Sequence, residues 1–194
     1  MNLATRYLEN AHAQVLAAEK LSMGDEIEAL DFLGPSLLLL GFGVELYLKS
    51  LLLGKGHSPE TLSRSPFGHD IWAMWTRDEL KDDRSFALKI RDLSHDDLLK
   101  SYISPQSKVF TDPDYLPNVY RDVPEPETFE VHLEHVSRLH SKCLNFALRY
   151  PTDLTHVPEP MLLIRTFVNL IHFRRQSPSE EAEDFVREIS GENE

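Results

Sequence analysis

Residues 37–56 read LLLLGFGVELYLKSLLLGKG, and residues 65–75 read SPFGHDIWAMW. The first stretch is apolar on every side of a helix, the pattern of a helix buried in a core. It carries one acid, Glu45, and one base, Lys49, four positions apart on a shared face in the acid-first order that favours pairing. Gly34-Pro35-Ser36 precedes it, with proline suited to a first turn, and Gly54 and Gly56 supply the stop. Gly41, Gly43, Glu45 and Lys49 interrupt the apolar run before it reaches membrane-spanning length. A core helix is therefore expected, with its ion pair at a surface edge.

Working outward, alternating β-branched segments are absent and helical periodicity is common. Residues 2–22 place Leu3, Tyr7, Leu8, Ala11, Val15, Ala18 and Leu21 near one face, with Gly24 as a stop. A short piece is expected at 26–33, and after a loop at 57–67 helices are expected at 69–80 and 83–103. Five prolines at 105, 113, 117, 124 and 126 mark a long crossing loop. A helix from 127 to 149 follows, with a bundle seam of Phe129, Leu133, Val136, His140, Cys143, Ala147 and Tyr150. After a second proline break, 161–175 is the last strong helix. The expected fold is an all-α up-and-down bundle in one domain, 1–176. An acidic tail, 177–194, holds a possible short helix at 178–189.

The 194 residues are 41% hydrophobic and 27% charged, ordinary for a globular protein, with net charge −12. The tail carries seven acids against Arg187, leaving −6 for the rest. An acidic chain loses the counterion release that drives nonspecific nucleic-acid binding, so any RNA contact has to be local. One cysteine, Cys143, excludes an intramolecular disulfide framework and fits a reducing, cytoplasmic setting.

The Glu-Leu-x-Leu-Lys of Glu45 to Lys49, the glycine stop at Gly54 and the Gly-His-Asp of Gly68, His69 and Asp70 resemble the HEPN superfamily over roughly residues 5–80. That resemblance implies a bundle of four or five helices, often a homodimer. It also implies a nucleic-acid-linked stress or defence setting of toxin–antitoxin type. Many members are ribonucleases and others are not catalytic. The family's ribonuclease signature is an Arg and a His separated by four to six residues on a late helix, with a strongly polar residue after the Arg. Arg165 and His172 fit that spacing, with Thr166 as a departure. Seven positions advance about two turns, roughly 10 Å, so both share a face. In such a site His172 is the acid or base and Arg165 stabilises phosphate charge. Against this stands a solvated Arg165 and a partly buried packing histidine. Arg64 and His69 also match the spacing, but Pro66 breaks the intervening helix.

Glu45, Lys49 and His69 form a candidate polar pocket. His132 and His135 are close enough along a helix to share a metal ion, but His140 points elsewhere and a third ligand is missing. No metal and no cofactor is expected, and His140 reads as a satisfied core or interface histidine. Three functions stay open: a dimeric binding module for RNA or nucleotide, a metal-independent endoribonuclease, and a structural module with a cognate protein partner. None involves a membrane.

Overall fold

The computed structural model describes residues 1–22, 32–65, 67–103, 126–141 and 160–176. Helices dominate, with no strand among the described residues. They are α1 (Leu3–Ser22), α2 (Leu33–Gly54), α3 (Pro59–Leu62), α4 (Ile71–Trp75), α5 (Lys81–Ile103), α6 (Phe129–His140) and α7 (Met161–Gln176), with 3₁₀ turns at Asp78–Leu80 and Pro126–Thr128. The expected all-α bundle is the observed one.

The apolar helix α2 is central. Leu37, Leu40, Val44 and Leu52 are fully buried. Contrary to the sequence reading, it is long and apolar enough to cross a membrane, yet 61% of its most apolar window is buried inside the bundle. Its end is set by chemistry in the sequence. Gly56 takes a left-handed φ of 95°, His57 N–H reaches back to Leu52 O at 3.0 Å and Gly56 N–H to Leu53 O at 3.1 Å. That is a Schellman stop, and it needs the glycine at position 56. Gly54 is instead the last helical residue.

Two further glycines admit neighbours on opposite sides of α2. A Cβ at Gly43 would overlap Val15 Cγ2 and stand 3.2 Å from Ala11 O and Val15 N. α1 therefore crosses α2 backbone to backbone. The crossing is antiparallel, because Ser36 Oγ, at the start of α2, donates to Ala18 O at 3.1 Å, near the end of α1. A Cβ at Gly41 would stand 2.7 Å from His140 Nδ1, so the ring of a residue on α6 fills that space.

α7 also pairs antiparallel with two neighbours. α7 lies along α1 through Arg165–Glu19 at one end and Arg175–Glu9 at the other. It lies along α5 through Asn169 Nδ2 to Ser94 Oγ at 3.0 Å and Arg174–Asp83. Tyr47, Trp75, Phe129 and Phe167 meet edge-on or stacked at 6.0–6.3 Å and form the aromatic centre. Trp75 also donates from Nε1 to Glu130 Oε1 at 2.7 Å, which satisfies its one polar atom.

Several boundaries differ from the sequence reading. The helix expected at 69–80 is only Ile71–Trp75 followed by a 3₁₀ turn, and a short helix, α3, occupies the expected loop. α6 ends at His140, and Ser141 is extended at ψ 173°. The helix expected to continue to 149 therefore stops three turns in, once Phe129, Leu133, Val136 and His140 are all buried. Gly24, the piece at 26–33 up to residue 31, the crossing loop at 104–125, Cys143, Ala147, Tyr150 and the acidic tail lie outside the described residues.

Candidate functional site

The second quoted motif is held to α6 by its own polar residues. Asp70 caps α4, accepting from Ala73 N–H at 2.9 Å. Ser137 of α6 donates to Asp70 Oδ1 at 3.2 Å and accepts from Trp72 N–H at 2.8 Å. These bonds fix His69, one residue before the cap, over the middle of α2.

Glu45, Lys49 and His69 do come together there. Lys49 Nζ donates to Glu45 Oε1 at 2.7 Å and to Gly68 O at 2.6 Å. His69 Nδ1 lies 2.9 Å from Glu45 Oε2. The pair is not at a surface edge: Glu45 is 5% and Lys49 8% exposed. Burial demands that every charge find partners, and here Lys49 meets both a carboxylate and a carbonyl.

The residue that sequence reasoning missed is His140. Fully buried, it places Nε2 2.7 Å from Glu45 Oε2, across 95 positions of sequence. A carboxylate only accepts, so both rings donate to one oxygen, His69 through Nδ1–H and His140 through Nε2–H. Phe42 meets the His140 ring edge-on at 4.8 Å. On the other side the ring packs against the bare backbone at Gly41, where a Cβ would stand 2.7 Å from Nδ1. His140 Nδ1 finds no hydrogen-bond partner among the described residues. It is a core histidine, as expected, with one of its two ring nitrogens partnered among the described residues. Burial alone would raise the Glu45 carboxyl. Hydrogen bonds from His140, Lys49 and His69, with the Lys49 charge, outweigh burial and hold it down to about 2.

Arg165 and His172 both lie on the outer side of α7, as their spacing requires, and each has a protein partner. Arg165 Nη1 is 2.9 Å from Glu19 Oε1 on α1. Thr166, where the ribonuclease signature wants a polar group at the site, is fully buried, and its hydroxyl has no hydrogen-bond partner among the described residues. His172 is exposed and bonds Gln176 at 2.8 Å. The alternative reading is thus reversed: the arginine is tied into packing and the histidine is solvated. Beside His172, Arg175 pairs with Glu9 at 2.9 Å and donates to His12 Nδ1 at 2.9 Å. Partial burial, Arg175 and His172 lower the His12 pKa against the opposing pull of Glu9.

No family model, curated protein or solved structure matches this chain.

Proposed function

We propose that the chain is a HEPN-like helical module that binds rather than cleaves, acting as a cytoplasmic homodimer in a nucleic-acid-linked stress or defence setting. The carrying observation is the Arg165–Glu19 ion pair. A ribonuclease needs that guanidinium available to an incoming phosphate, whereas here an acid from α1 already neutralises it. Arg174 and Arg175 are likewise paired, to Asp83 and Glu9, so the end of α7 offers no unpaired basic groove among these three arginines. In support of the family resemblance, its two motifs act as one unit: Lys49 bonds the Gly68 carbonyl and Glu45 bonds His69.

The test is direct. Purified full-length protein incubated with RNA is expected to leave it intact and to sediment as a dimer at micromolar concentration. Cleavage by the wild type that His172→Ala removes would replace this reading with the ribonuclease. A clean monomer would remove the dimer from it.

A further inference from the structure

We propose that Glu45, His69 and His140 form a binding site for one divalent transition-metal ion of the zinc class, inside the bundle between α2, α6 and the turn before α4. The donor atoms of these residues lie within 4.8 Å of one another. Two imidazoles and one carboxylate are the donor set of three-ligand zinc sites that keep a further position for water or substrate. Such a set is borderline in softness and suits zinc, cobalt or nickel better than magnesium or calcium, which take oxygen ligands.

Geometry beyond proximity favours the site. Both rings already aim at the same oxygen, Glu45 Oε2, at 2.9 and 2.7 Å. A tetrahedral zinc with donors at about 2.0–2.2 Å spaces those donors roughly 3.4 Å apart, so each ring moves about 0.6 Å from the carboxylate. Lys49 holds the other oxygen, Oε1, and so leaves Oε2 as a single oriented donor. Gly41 and Phe42 pack on the His140 ring and keep its Nε2 directed at Glu45. The His69 side chain is 43% exposed, which gives an ion a route from solvent.

Binding also requires each ring to present a lone pair. His69 Nδ1 and His140 Nε2 then carry no proton, and the ring proton sits on His69 Nε2 and His140 Nδ1. Two features keep affinity below that of a closed structural zinc site. The Lys49 ammonium offsets the carboxylate charge, and the new His140 Nδ1–H has no acceptor among the described residues. Sequence spacing hides this site, because its ligands come from three elements and from none of the His132–His135 pair.

The experiment is a calorimetric titration of chelator-treated full-length protein with Zn²⁺ alone. The expected result is one saturable Zn²⁺ per chain and a melting temperature raised by zinc. His69→Asn keeps an N–H near the Nδ1 position for Glu45 but removes the imidazole lone pair. It should leave metal-free stability near wild type and weaken zinc binding by more than about 100-fold, beyond the cost of losing an outer partner. Co²⁺ in place of zinc should give the visible absorption of a tetrahedral centre in wild type and not in His69→Asn. His172→Ala and His132→Ala should bind as wild type does. Wild-type protein that takes up no zinc, a His69→Asn variant that binds unchanged, or loss of binding in His172→Ala would each overturn the proposal.

Discussion

Two clusters in this molecule use the same ingredients, one acid, one base and two histidines. Glu45, Lys49, His69 and His140 meet around the middle of α2, whereas Glu9, Arg175, His12 and His172 gather between the ends of α1 and α7. The first is buried except at His69, and the second is partly open to water throughout. In the interior a charge without a partner costs several kcal/mol, so geometry there is tightly constrained. At the surface water substitutes for any partner, and the same contacts contribute little. Residue type alone therefore says little about what a polar cluster does.

The comparison breaks most visibly at Glu45. Glu45→Ala leaves Lys49 buried without its carboxylate and is expected to cost about 3–5 kcal/mol, read as a lower denaturant midpoint. A loss below about 1 kcal/mol would show that water reaches the cluster and that the contrast is false.

Acid probes the same contrast more gently. The Glu45 pKa is depressed from 4.5 to about 2 in the folded chain. Its stabilisation is therefore complete above pH 4.5 and declines as pH falls from there toward 2. The amount is on the order of 3 kcal/mol. Urea midpoints across that window should fall more steeply for wild type than for Glu45→Gln, and parallel curves would contradict the assignment.

Smaller effects belong to the surface cluster. Glu9→Ala is expected to cost about 0–1 kcal/mol, with the difference fading in molar salt as screening removes the pair. A salt-independent loss would mean that the α1–α7 junction excludes water. Smallest of all is His172→Ala, expected to change stability by no more than about 0.5 kcal/mol, since its side chain is exposed. A clear drop in melting temperature would restore it as a packing residue.

The sequence showed these two regions unequally. The ion pair at Glu45 and Lys49 follows from a four-residue spacing, and His69 was picked out by the Gly-His-Asp motif that carries the family resemblance. His140 is visible only as a histidine in an apolar seam, because nothing local links it to a partner 95 positions away. A usable signal was Gly41: a glycine inside a strong helix marks close approach by another group. Arg165 and His172 were legible as a shared face, but the acid that occupies Arg165 comes from α1, and helical periodicity carries no information across elements. Helix existence was read well for the same reason that lengths were not. Apolar period reports which face is buried, while the ends of α4 and α6 are set by local cap geometry at Thr76 and Ser141 that the period does not carry.

The paired glycines of α2 give the bundle a fixed internal gauge. Successive side chains two positions apart leave a helix on nearly opposite sides, so α1 rests on one side of a bare backbone at Gly43 and the His140 ring on the other at Gly41. The separation between them is the thickness of the peptide helix itself, a cylinder of radius about 2.3 Å at the Cα atoms. No rotamer change can alter it. A methyl group added at either position pushes one neighbour outward while leaving the other in place. Two interfaces that never touch thus share one spacer.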